Sequence, residues 1–81
     1  MLKVSLTGLL RSAADGEALV EIEAATIREL LTKLVERYPQ MGKHLEAGIA
    51  VSIDGEIYRD NWGTTIPGNS EIFLLPRIQG G

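Results

Sequence analysis

One amphipathic helix, set among short alternating apolar stretches, is the feature that most constrains the fold. Thr26 and Glu29 have the spacing of a capping box, and Pro39 ends the helix because it disfavours helical geometry at Tyr38. A lone helix of this length has to bury its apolar stripe against a sheet. The stripe consists of Ile27, Leu30, Leu31, Leu34, Val35 and Tyr38.

The stretches around this helix have the patterns of β-strands. The first three alternate apolar and polar side chains, which is the period of a half-buried strand. Asp54-Gly55 predicts a two-residue hairpin turn, and the last stretch is apolar on both faces, as in a central strand. The predicted strands are residues 2–7, 19–23, 49–53, 56–58 and 71–75.

The remaining segments, residues 9–17, 40–48 and 59–70, are expected to be loops. The first two strands are expected to form an antiparallel hairpin, and the final strand to lie beside the first in the middle of the sheet. This order predicts an α+β protein of the β-grasp (ubiquitin-like) type, a mixed four- to five-stranded sheet packed against one main helix. The helix should cover Leu2, Val4, Leu6, Val20, Ile22, Ile49, Val51 and Ile53.

Composition argues against several functional classes. The chain carries 8 Lys and Arg against 11 Asp and Glu, a net charge of −3, without the basic excess of a nucleic-acid binder. It has no Cys, which excludes disulfides, thiolate metal sites and iron–sulfur clusters. No metal site is predicted, since His44 is the only histidine and is expected to be solvated. Without a signal peptide or membrane-spanning stretch, we expect a cytoplasmic protein with no membrane partner.

The sequence ends on Gly80-Gly81, after an apolar strand and a short connecting segment, Pro76–Gln79. We therefore predict a domain of residues 1–76 and a flexible tail of residues 77–81. An extended tail reaches at most roughly 17 Å, and glycine has no Cβ to obstruct a narrow channel. The interpretation is that the Gly81 carboxylate enters the active site of another protein.

Other residues are candidates for partner binding. Phe73 and Leu75 are expected on the open face of the sheet, where exposed apolar side chains mark docking surfaces; the alternative is that a loop covers them. Arg11 and Arg77 could pair with acidic groups of a partner, or be ordinary surface charges. Pro76 and Ile78 belong to the segment that would enter the partner. Trp62 could anchor an interface, but capping the open end of the core is the favoured role.

These motifs together resemble the MoaD/ThiS group of ubiquitin-like sulfur carriers, over the whole chain and most specifically from residue 66 to Gly81. MoaD, the small subunit of molybdopterin synthase, is the more similar branch. Its members often read Leu-Arg-Glu, Gly-Asp-Glu and Pro-Pro where this chain has Leu10-Arg11-Ser12, Asn69-Ser70-Glu71 and Pro76-Arg77. The resemblance is carried by Leu10-Arg11, the helix, Asp54-Gly55, the turn at residues 67–71 and the strand that leads to Pro76.

The resemblance implies a carrier rather than an enzyme, with no bound cofactor. An E1-like (MoeB/ThiF-like) enzyme would use ATP to adenylate Gly81, and a sulfur donor would convert the adenylate to a thiocarboxylate. The sulfur would then pass to a MoaE-like large subunit, for molybdopterin synthesis. The alternatives are a carrier for thiamine or another thiocarboxylate-dependent pathway, a protein modifier conjugated through Gly81, and a β-grasp interaction module that tolerates loss of the tail.

Overall fold

A computed structural model describes residues 1–59 and 61–76. In this part of the chain a five-stranded mixed sheet carries three helices. The strand order across the sheet is β2-β1-β5-β3-β4. The elements are β1 (Leu2–Leu6), α1 (Leu9–Ala13), β2 (Leu19–Ile22), α2 (Ile27–Arg37), α3 (Met41–Ala47), β3 (Ile49–Ile53), β4 (Glu56–Tyr58) and β5 (Glu71–Pro76).

The pairing of the strands confirms the predicted β-grasp topology. β1 and β2 pair antiparallel, as do β3 and β4. β5 joins these two pairs, parallel to β1 and antiparallel to β3. The last strand therefore lies beside the first, in the middle of the sheet, as the sequence predicts.

Helix α2 begins where the capping box predicts. Thr26 Oγ1 accepts a hydrogen bond from the Glu29 amide at 3.2 Å. The Glu29 carboxylate accepts a hydrogen bond from the amide of Ala25 at 2.6 Å. A capping box would use the amide of Thr26, one residue later. The helix ends after Arg37, and the Tyr38 amide donates to the Leu34 carbonyl at 2.7 Å. Pro39 follows at once, in the position predicted to stop the helix.

The core lies between α2 and one face of the sheet. All eight sheet residues predicted to meet the helix are buried, and so are Ile27, Leu30, Leu31 and Leu34 of the helical stripe. Val35 and Tyr38 are half-buried at its edge. The opposite face of the sheet is not covered by a described element, so the domain has two layers.

Two predictions of loops were wrong, because short helices occupy them. α1 lies within residues 9–17 and buries Leu10 and Ala13, which are three positions apart and so share one face. α3 lies within residues 40–48 and buries Met41. Gly48, at φ 114°, follows α3, and this backbone conformation is one that glycine adopts without steric cost. The final strand also continues one residue beyond its predicted end, to Pro76.

Candidate functional site

The central strand β5 leads directly to the proposed tail. Its last residue, Pro76, pairs with Ile49 at the start of β3, and α1 also contacts β5. Pairing with β3 therefore holds the strand in place up to Pro76, where the tail begins. The predicted site residues Arg77, Ile78, Gly80 and Gly81 lie outside the described residues, and their roles stay predictions.

The open face of the sheet carries a row of exposed apolar side chains. Phe73 is 42% exposed at the centre, with Leu19 at 50% towards one edge and Ile57 at 52% towards the other. Ser5 pairs with both Leu19 and Phe73, and Ser52 pairs with both Phe73 and Ile57. The row thus crosses all five strands, over roughly 19 Å at the usual spacing between strands. We call Leu19, Phe73 and Ile57 the sheet patch.

The surroundings of the sheet patch combine small, apolar and charged residues. Leu75 continues from Phe73 along the same face of β5, where it pairs with Ala50 and is half-buried. In the other direction Lys3 stands between Glu21 and Glu71 on the neighbouring strands. A partner surface that matches this side would be apolar in the middle and mainly basic at its edge.

The structure accounts for the predicted docking residues in part. Phe73 and Leu75 both lie on the open face, as predicted, with Phe73 exposed and Leu75 half-buried. Pro76 is half-buried as well. Leu19 and Ile57 were not singled out from the sequence. The alternation of β2, with Val20 and Ile22 inward, would have placed Leu19 outward.

Arg11 has a local structural role in addition to its predicted one. It is exposed on α1, and its Nε donates a hydrogen bond to the Gly16 carbonyl at 3.1 Å. This contact ties α1 to the turn that follows it. A role for the guanidinium in partner binding stays a prediction.

The amino end of α2 is already occupied by the protein's own groups. The Ile27 amide donates to the Thr64 carbonyl at 3.1 Å, and the Arg28 amide donates to the Trp62 carbonyl at 2.8 Å. The Glu29 amide is bound by Thr26, as described above. These are the backbone donors with which a helix start would bind a phosphate, so this end of α2 is not prepared to hold a nucleotide.

Ionisable groups give no sign of a catalytic centre within residues 1–59 and 61–76. No group of three or more His, Asp or Glu side chains there could hold a metal ion. His44 is half-buried on α3, not fully solvated as predicted. The hydrogen bond that Tyr58 donates to Glu56, at 3.0 Å, raises the pKa of the phenol. None of the described helices is long and apolar enough to cross a membrane.

Comparison with known sequences gives one family. The sequence model of the ThiS family matches residues 4–81, which includes all of the sheet except Leu2 and Lys3 of β1, and both terminal glycines. No curated protein sequence matches significantly.

Comparison with solved structures supports the same architecture. The small archaeal modifier protein 1 (SAMP1) of Methanosarcina acetivorans is 25% identical, with a TM-score of 0.81 over 99% of this chain and 95% of that one. CysO in the Amycolatopsis orientalis BexX/CysO complex is 22% identical, with a TM-score of 0.81 over 100% of both chains. A putative molybdopterin converting factor, subunit 1, from Pyrococcus furiosus is 18% identical, with a TM-score of 0.80 over 95% and 97%. The last two likenesses show the fold alone.

Proposed function

The chain belongs to the ThiS family, of small carrier and modifier proteins, and we propose that it carries sulfur on the carboxylate of Gly81. The observation that carries this proposal is the placement of β5. This strand is held on both sides at the centre of the sheet and continues into five residues that end in Gly-Gly. The family match continues to Gly81 as well.

The proposed chemistry takes place in the active site of a partner. A carboxylate oxygen of Gly81 attacks the α-phosphorus of ATP, pyrophosphate leaves, and an acyl adenylate forms. Hydrosulfide released by a sulfur donor then attacks the acyl carbon, AMP leaves, and loss of the proton gives the thiocarboxylate. The adenylate hydrolyses readily, so this site has to exclude water. The carrier contributes the carboxylate and the narrow segment that presents it, while an E1-like enzyme of the MoeB/ThiF type supplies the catalytic groups.

The acceptor of the sulfur is proposed to be a MoaE-like large subunit that builds molybdopterin. The basis of this choice is the resemblance of residues 66–81 to the MoaD branch; a protein of the same fold, from Pyrococcus furiosus, is described as a putative molybdopterin converting factor subunit. Delivery to thiamine or to another thiocarboxylate-dependent pathway uses the same activated carrier.

Conjugation to proteins is the second candidate function. The Methanosarcina relative is called a modifier protein, and the first chemical step is shared, because an acyl adenylate also precedes amide formation with a lysine. The two functions differ in the final nucleophile, which is sulfur in one and an amine in the other.

Intact-mass spectrometry tests the leading proposal directly. The full chain is incubated with an E1-like enzyme, ATP and a sulfide source, and we expect the mass gain that corresponds to replacing one oxygen by one sulfur at Gly81. Omission of ATP is the control and should leave the mass unchanged. An unchanged mass in the complete reaction, with several activating enzymes that charge their own carriers, would contradict the proposal.

The sheet patch is the proposed docking surface for these partners. Phe73 is its central member and belongs to the strand that leads to the tail, so a protein that binds the tail can also cover Phe73. Phe73→Ala is expected to weaken binding of the activating enzyme by about tenfold, as for an aromatic residue at the centre of an interface. Titration calorimetry with the enzyme measures this change.

A matched control separates the patch from general surface effects. Leu9 is also an exposed large apolar residue, at 65%, but it lies at the start of α1 and outside the patch. Leu9→Ala should leave binding close to that of the unmodified chain. Equal losses for the two variants would contradict a docking role for the patch.

A further inference from the structure

A groove with a mainly apolar lining runs along the outer side of α2. This helix covers the face of the sheet opposite the sheet patch. Its volume is about 420 Å³. Leu31 and Val35 form the floor; Leu31 is buried and Val35 half-buried. Arg28, Thr32 and Glu36, which are exposed, form one edge because residues four apart lie on the same side of a helix.

The other edge of the groove comes from segments distant in sequence. It consists of Leu45 on α3 and Trp62 in the segment between β4 and β5, both half-buried. The hydrogen bond from the Arg28 amide to the Trp62 carbonyl, at 2.8 Å, fixes Trp62 beside the start of α2. A main-chain contact therefore positions this part of the groove edge relative to α2.

The charges on the helix divide into two sets. Lys33 and Arg37 donate to the carbonyls of Glu23 and Glu21, and Glu29 accepts from the Ala25 amide, so these side chains bind their own chain. Arg28 and Glu36 instead stand at the two ends of the groove edge. They are separated by two turns, or about 12 Å along the helix axis, and they have opposite charges.

We propose that this groove binds a second copy of the same chain, with the two α2 helices antiparallel about a two-fold axis beside Thr32. Rotation about that axis places Arg28 of each copy opposite Glu36 of the other, so the edge is complementary to itself. A two-fold symmetric dimer requires a surface that is complementary to itself in this way. The same rotation brings the Leu31 and Val35 surfaces of the two copies to the same side of the axis, where they face each other, and the small Thr32 side chains permit close approach at the axis.

The expected association is weak and reversible. One groove along an eleven-residue helix falls below the area of a stable interface, and we expect a dissociation constant of about 0.1–1 mM. The sheet patch belongs to the opposite face, so the dimer leaves it accessible. The proposal does not depend on the function of the tail.

Sedimentation analysis of the full chain tests the proposal. Between about 20 μM and 1 mM, the average mass should rise from that of a monomer towards that of a dimer. Trp62 is the only tryptophan and lines the groove, so its fluorescence emission should shift to shorter wavelength over the same range as water is excluded.

Charge reversal provides the sharper test. Arg28→Glu and Glu36→Arg should each weaken self-association by at least about tenfold, because each places like charges opposite one another. The double variant R28E/E36R should associate within about threefold of the original chain. An equimolar mixture of the two single variants should form a heterodimer, since both of its contacts then join opposite charges.

Lys43→Glu is the matched control. Lys43 is exposed on α3, and its reversal changes the net charge as much as Arg28→Glu does without altering the groove. A chain that stays monomeric throughout the concentration range would overturn the proposal. A dimer as strongly affected by Lys43→Glu as by Arg28→Glu would overturn it too, and so would single variants that fail to pair with each other.

Discussion

Gly81→Ala is expected to lower the rate of adenylation by an E1-like enzyme by at least about 100-fold, the scale of loss when a reacting group is misplaced by about 1 Å. The added methyl group meets the wall of a channel that has to be narrow to exclude water. It also restricts the backbone conformations that glycine adopts freely. Pyrophosphate release in the presence of ATP measures the rate.

Two further variants serve as controls for the Gly81→Ala result. Gln79→Ala also changes the tail but retains both glycines, and should be adenylated nearly as fast as the unmodified chain. Addition of one residue after Gly81 should abolish the reaction, because the carboxylate is then displaced. All three chains should have unchanged melting temperatures. Normal adenylation of Gly81→Ala would refute the proposed role of the tail without affecting the dimer proposal.

Leu74→Ala is expected to lower the free energy of unfolding by about 2–5 kcal/mol, the cost of removing a fully buried leucine side chain. Leu74 is 0% exposed and lies at the centre of the sheet, paired with Leu6 on β1 and Val51 on β3. A domain of this length is stable by only about 4–12 kcal/mol. The loss is therefore a large fraction of the total, and urea denaturation followed by circular dichroism measures it.

The neighbouring residue serves as the control for this prediction. Phe73 is on the same strand but faces outward and is 42% exposed, so Phe73→Ala should cost about 1 kcal/mol or less. The two variants should thus show opposite defects, one in stability and the other in partner binding. Similar losses of stability would show that the open face contributes to folding as much as the core does.

The sheet and α2 could be predicted because the apolar pattern that indicates each of them is local in sequence and repeats several times. The stripe from Ile27 to Tyr38 spans three turns, and the alternation in β1, β2 and β3 leaves one face for the core. α1 and α3 have five and seven residues, too few for a helical pattern to repeat. The sequence therefore predicts loops around Leu10 and Met41, although both residues are fully buried in the structure.

The surfaces were harder to predict than the core. The sheet patch depends on register, because Leu19, Phe73 and Ile57 come from three strands that are distant in sequence. The groove on α2 depends in the same way on Trp62 and Leu45, which reach the helix from separate segments. Each strand of the sheet patch carries only one of its residues, and the second edge of the groove comes from two segments outside α2, so both surfaces appear only once the segments are brought together.

The position of β5 has a consequence for the order in which the protein is synthesised. β5 comes last among these strands but lies between β1 and β3, so until it is synthesised the pairs β1–β2 and β3–β4 have no strand to join them, and each has an unpaired edge. A product of premature termination before residue 71 lacks the strand that joins them and cannot complete the core. Folding therefore acts as a check on the length of the chain, because only molecules translated at least through the strand that bears the tail can fold.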